Sequence, residues 1–145
     1  MKNMLFALAL SLTTTGLFGQ ADKILGVWYN EEKSAKIEVY KKADKYYGKI
    51  IWLKDNKNAD GSSPRLDVKN EDVSKRGRAI VGSNILIGLE WDEDDNEWDD
   101  GEIYDPKNGS TYSLYAQLES ENKLFLKGYI GFSLIGRSTY WTRAN

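Results

Sequence analysis

Tyr104-Asp105-Pro106 sets a phenol beside a carboxylate where a predicted strand meets a turn. Such a pair can polarise a bound group or pass a proton. The same residues also read as ordinary turn formers, because an aspartate ahead of Pro-Lys-Asn-Gly bonds its own backbone. Asp67, Asn70, Arg76 and Arg78 form a second grouping within one polar stretch. Packed together at one end of a fold, their arginine forks suit a carboxylate or phosphate. The alternative is that Asp67 and Asn70 cap turns while the arginines pair with acids, and local bonding of this kind is the commoner use. Asp92-x-Asp94-x-Asn96 opens as a calcium loop does. Its sixth position is Glu97 rather than glycine and its twelfth is Ile103 rather than an acid, so it reads as a solvated hairpin tip.

The chain has no histidine and no cysteine. Ser-His-Asp and Cys-His catalysis, zincin helices, disulfides and thiol chemistry are therefore closed to it. Acid–base work falls to carboxylates, tyrosine or lysine, and any metal needs oxygen ligands. No cofactor and no metal site is assigned. The formal charge of −2 gives no support for nucleic-acid binding.

The positioning elements begin after a leader. MKNMLFALALSLTTTGLFGQA carries Lys2 and an apolar run from Met4 to Leu12 that is too short to span a bilayer. Gly19-Gln20-Ala21 offers a small-x-small pattern. Residues 1–21 read as a secretory signal peptide cut after Ala21, with a cut after Gly19 as the alternative. The mature chain, residues 22–145, is expected to be exported to the periplasm or the medium. No cysteine stands ready for a lipid anchor, and nothing beyond the leader is long enough to cross a membrane. The oligomeric state is left open.

Residues 22–145 suffice for one domain. LGVWYN at 25–30, SAKIEVYKK at 34–42 and KYYGKIIWLK at 45–54 read as strands. In the third, Tyr46, Gly48, Ile50 and Trp52 share a face by the two-residue period. Residues 55–78 form a polar excursion, with Asn70 capping a short helix over 71–76 and Gly77 stopping it. Further strands lie within 79–92, 101–106, 111–118, 123–132 and 137–143, with DEDDNEWDD as an acidic tip. About eight strands on short connections predict an all-β, antiparallel up-and-down β-barrel with one long loop and a short helix. Gly128, Gly131 and Gly136 read as bends that coil the last strands.

The ends carry the closure. Gly26-Val27-Trp28 opens the first strand, and Arg137, Trp141 and Arg143 lie on the last. First and last strands are neighbours in a closed barrel, so Arg143 is expected over the indole of Trp28. A Gly-x-Trp opening with a late arginine resembles the calycins, the lipocalin-like barrels. The chain further resembles the domain-of-unknown-function 2147 family of small exported bacterial proteins. GVW at 26–28, YYGKIIWL at 46–53, LDVKNEDVSKRGRAIVG at 66–82, GEIYDPKNGSTYS at 101–113 and GYIGFSLIGRSTYWTR at 128–143 carry that resemblance. It implies a lipocalin-like barrel and export, and no activity. Where Leu-Arg-x-Arg-Pro is expected, the chain reads Val73-Ser74-Lys75-Arg76-Gly77-Arg78-Ala79, without the proline.

Aromatics are many, and Trp28, Trp52, Tyr104, Tyr115, Tyr129, Tyr140 and Trp141 all fall on predicted strands. Any one of them is more often core than site. The ligand-binding set is Trp52, Arg78, Tyr104, Asp105, Tyr115, Tyr129 and Tyr140, an apolar lining with a few polar groups. The reading is a binding module for a small apolar or amphipathic molecule. The alternative is an envelope interaction or structural protein whose barrel is filled by side chains. An enzyme using carboxylates or tyrosine ranks last.

Overall fold

A computed structural model of the chain describes residues 18–130 and 136–145. Most of the expected leader and Gly131 lie outside these residues. A short helix α1 (Phe18–Ala21) and a 3-10 turn (Asp22–Ile24) lead into eight strands. These are β1 (Gly26–Tyr29), β2 (Ala35–Lys42), β3 (Lys45–Leu53), β4 (Asn84–Asp92), β5 (Glu97–Asp105), β6 (Ser110–Ser120), β7 (Lys123–Tyr129) and β8 (Gly136–Arg143). Each pairs antiparallel with the next, and β1 pairs with β8, so the sheet closes into an up-and-down barrel. Closure leaves no free sheet edge, which is the physical advantage of a barrel.

Turn chemistry sets the register. Ala43 and Asp44 both take positive φ, at 49° and 65°, the mirror-image turn that matches the twist of a two-residue hairpin. Asp92 Oδ1 accepts from the backbone N–H of Asp94 at 3.0 Å and opens the next hairpin. Pairing resumes at Glu97, so the acidic tip is shorter than expected and Asp99 and Asp100 belong to β5.

Inward positions pack the interior. Trp28, Leu86, Leu89, Leu114, Ala116, Leu124 and Leu126 have no accessible surface. A side chain without accessible surface has no water-sized space beside it. The barrel around these residues is therefore filled, at the close packing typical of protein cores.

Both termini meet at one end. Arg143 pairs with Trp28 in register, and its guanidinium lies 4.2 Å from the indole centre, as expected. It donates to the carbonyls of Leu25 and Lys23, each at 2.8 Å, and of Glu121 at 3.1 Å. The Trp28 indole N–H donates to Ile24 O at 2.9 Å. Gly26 is needed here: its φ is +119°, and a Cβ would lie 2.9 Å from Arg143 Nη1. Gly136 is needed at the other end for a close backbone approach, since a Cβ there would run into the Gly128 carbonyl.

Two local expectations are corrected. Trp52 does not share the inward face of Tyr46, Gly48 and Ile50. The register shifts so that Ile37 faces Ile50 while Lys36 faces Trp52, leaving Ile51 as the extra residue. Such a bulge reverses the facing of the residues beyond it. The excursion holds a single 3-10 turn, Val73–Lys75, rather than a helix over 71–76, and its cap is Asp72, which accepts from Ser74 N. Asn70 does bond as a cap would, its Oδ1 accepting from Asp72 N at 2.9 Å, but it stands one turn ahead of the 3-10 turn.

Candidate functional site

The polar excursion between β3 and β4 folds over the end of the β5–β6 hairpin and is held by one buried carboxylate. Asp67 is 1% exposed. Its Oδ1 accepts from the Tyr104 hydroxyl at 2.6 Å. Its Oδ2 accepts from Asn70 Nδ2 at 2.8 Å and from Arg78 Nε at 3.0 Å, with Arg78 Nη2 in ion-pair contact at 3.0 Å. Arg76 Nε donates to Asn70 O at 2.7 Å, and the Leu66–Ala79 bridge closes the loop on itself. Burial, reinforced by the neighbouring carboxylate, raises the Tyr104 phenol above its ordinary range. Asp105 behaves as a turn former: its carboxylate accepts from Lys107 N at 2.9 Å and its carbonyl from Gly109 N at 2.8 Å. The grouping of Asp67, Asn70 and Arg78 is real, with Tyr104 added. Both Asp67 oxygens are engaged within it, and it latches the excursion to the barrel.

The remaining predicted residues lie on the outer surface, in two places. On β1–β3, Tyr29 and Trp52 meet edge-on at 6.5 Å, and the Lys36 ammonium lies 5.2 and 5.5 Å from their ring centres. On β6–β8, the register puts Tyr115 opposite Lys127 and Phe125 opposite Tyr140. Ring centres are 6.1 Å apart for Tyr115–Phe125, 6.4 Å for Tyr115–Tyr129 and 5.4 Å for Phe125–Tyr140. All four rings are half-buried, forming one continuous aromatic face. Lys127 stands in its middle, and no carboxylate among the described residues lies within salt-bridge distance of its ammonium. It donates to Gly136 O at 3.4 Å and to Ser138 Oγ at 3.5 Å. Lys123 borders the face, 4.7 Å from the Tyr140 ring and paired with Glu119 at 3.5 Å.

At the end where the chain termini meet, an open polar cleft of about 650 Å³ is lined by Asp44, Glu90, Asp92, Asp99 and Asp100 among others. Carboxylate oxygens of Asp92, Asp95 and Asp99 come within 4.8 Å of one another. Burial, with repulsion from Asp100, Asp92 and Glu97, pushes Asp99 up to about 6, and burial raises Glu97 as well. The folded chain thus takes up protons here more readily than the unfolded chain. Its charged form is disfavoured by folding, so this contribution to stability improves as pH falls through 6 towards the ordinary carboxylate range. Asp22 opposes it: the hydrogen bond from Tyr46 holds it below the ordinary range, and its stabilisation is lost only in stronger acid. Melting temperature is expected to rise between pH 7 and about pH 5. Asp99→Asn is expected to raise it at pH 7 and flatten the slope. A melting temperature falling steadily over that window in both proteins would contradict the assignment.

The pattern of residues 26–143 matches a family described as uncharacterized proteins conserved in bacteria, DUF2147. The chain belongs to the DUF2147 family. The match spans every strand of the barrel, from Gly26 at the start of β1 to Arg143 at the end of β8. Among curated proteins no sequence matches. The fold is similar to that of protein HP1028 from the human pathogen Helicobacter pylori, described as belonging to the lipocalin family. The two share 23% identity at a TM-score of 0.70, over 83% of this chain and 82% of that one. At that identity the likeness shows the fold, a lipocalin-like barrel, and a fold does not fix a function.

In this DUF2147 barrel the predicted site residues do not converge on one cavity. Arg78 and Tyr104 join the latch, Asp105 shapes a turn, Trp52 faces outward beside Lys36, and only Tyr115, Tyr129 and Tyr140 share a surface. Phe125 and Lys127 complete that surface, and the sequence-based site set lacks both. The available signal is the alternation of KLFLKGY against TYSLYAQL, which sets Phe125, Lys127 and Tyr115 on one outward face.

Proposed function

We propose that the protein is an exported binding module that works from the outside of its barrel. Its ligand is a small amphipathic molecule with an anionic group, taken on the β6–β8 face. The observation that carries this reading is a lysine with no carboxylate partner among the described residues, set among four half-buried rings. Rings receive an apolar body while the ammonium receives a carboxylate or phosphate, the usual division of labour in a binding site. The packed interior supports placing the ligand outside, because Leu114 and Leu126, on the inner side of the same strands, have no space beside them. The lipocalin-like fold supports small-ligand binding in general. Binding rather than catalysis is favoured because the Tyr104–Asp67 pair is enclosed, with both Asp67 oxygens engaged. No helix among the described residues is long and apolar enough to cross a membrane.

The test uses decanoate, below its micellar concentration, with decanol as the uncharged control. Decanoate is expected to bind and decanol to bind more weakly. Lys127→Ala is expected to weaken decanoate about tenfold, the effect of losing a charge-assisted hydrogen bond of roughly 1.5 kcal/mol. Equal binding of both probes, unchanged by Lys127→Ala, would reject the anionic reading. The filled interior also favours a second reading, an envelope interaction protein that uses this face for a macromolecular partner. Absence of binding to either probe would move the weight there.

A further inference from the structure

The first contacts of the folded domain fall within the stretch that offers two cutting points for a leader. Gly19 has nothing within 4 Å of the position a Cβ would take, and both Gly19 and Gln20 are exposed. Among the residues whose side chains are described, packing starts at Ala21. Ala21 lies against the hydrophobic core, and its carbonyl accepts from the indole N–H of Trp98 at 3.0 Å. Trp98 is 1% exposed.

A cut after Ala21 removes that carbonyl and leaves an ammonium on Asp22. A part-buried donor would lose its acceptor and gain a second donor as its neighbour. Buried polar groups are costly to leave unpaired. A cut after Gly19 keeps Gln20 and Ala21, and with them the bond from the Trp98 indole. The small-x-small pattern is better satisfied by the cut after Ala21, so the sequence pattern and the packing point to different bonds.

We infer that the chain is cut between Gly19 and Gln20 and that the new N-terminal Gln20 closes to pyroglutamate. In the ring closure the freed α-amine attacks the Gln20 side-chain amide carbon. A C–N bond forms to that carbon, the bond to the amide nitrogen breaks, and one ammonia leaves. No oxidant, reductant or further reactant is needed. Gln20 is exposed and makes no side-chain hydrogen bond among the described residues, so the fold leaves it free to cyclise. The modified end carries no charge, and no ammonium stands beside the Trp98 indole.

This inference rests on the export reading of the leader, and one experiment separates the two. The full chain is expressed with its own leader in a bacterial host, purified from the exported fraction, and its intact mass recorded. The expected mass is that of residues 20–145 less one ammonia, with the N-terminus blocked to stepwise degradation. A chain of residues 20–145 with a free amine would uphold the cut and overturn the ring closure. A chain beginning at Asp22 would overturn the cut. An uncut chain in the cytosol would overturn the export reading itself. Independently, a protein made to begin at Asp22 is expected to melt about 4 °C or more below one beginning at Gln20, the consequence of the lost Trp98 bond and the lost packing of Ala21 in a domain of this size. Equal melting temperatures would remove the physical basis of the inference.

Discussion

Asp67→Ala is expected to destabilise the protein by about 3 kcal/mol, at the low end of what breaking a buried ion pair costs. The substitution removes the acceptor for Tyr104, Asn70 and Arg78 together. The low end applies because the Arg78 side chain is 34% exposed and can turn to water once its partner is gone. Tyr104 and Asn70 are buried and have no such recourse. Asp67→Asn keeps an acceptor for Tyr104 and is expected to cost less. Urea denaturation measures the loss. Amide exchange should show residues 66–80 opening first, ahead of the strands. A change below about 1 kcal/mol would reduce the latch to an ordinary surface ion pair. The latch matters for function as well, because Arg78 and Tyr104 then hold the excursion in place rather than meeting a ligand.

Arg143→Ala is the second large effect, expected to cost about 2–4 kcal/mol from the lost indole contact and the lost charge-assisted bonds. One side chain covers Trp28 and donates to three carbonyls, two on the segment entering β1 and one at the β6–β7 turn. Among the described residues the β1–β8 seam has two residue pairs in register and one further backbone bond, from Ala144 N to Val27 O at 2.9 Å, so Arg143 carries a large share of its closure. Arg143→Lys keeps the charge but not the planar fork, and is expected to recover less than half of the loss. Full recovery by lysine would mean that charge alone closes the barrel. An unchanged melting temperature in Arg143→Ala would mean that the seam is held by other contacts.

The parts of this protein that are legible in the sequence are those governed by local rules. Alternation in SAKIEVYKK and TYSLYAQL gives strands and inward faces, and short turns give antiparallel neighbours. Gly26-Val27-Trp28 with Arg143 gives the closure down to the residue pair, because closing a sheet forces its first and last strands together. The illegible parts depend on single irregularities. One extra residue at Ile51 sends Trp52 outward, and no propensity marks where a bulge will fall. Asn70 turns the chain into the segment by accepting from Asp72 N while its amide N–H reaches Asp67, and Asp72 then caps the 3-10 turn itself, so the helical segment is shorter than the spacing implies. The candidate site shows the same division. The Asp67, Asn70 and Arg78 grouping is visible in sequence, but its fourth member, Tyr104, arrives from β5 through the fold. From sequence the aromatic residues read as the lining of a pocket. Outward facing follows from the register only once the inward positions Leu114, Leu126 and Trp141 are known to fill the core.

The central claim is that the ligand face is the outside of β6–β8. Its most direct test is a backbone and side-chain NMR titration of residues 20–145 with decanoate. Shifts are expected to concentrate at Tyr115, Phe125, Lys127, Tyr129 and Tyr140 and to spare the methyl groups of Leu86, Leu114 and Leu126. Shifts centred on those inward methyl groups, with the outer rings unmoved, would place the ligand inside the barrel and contradict the account.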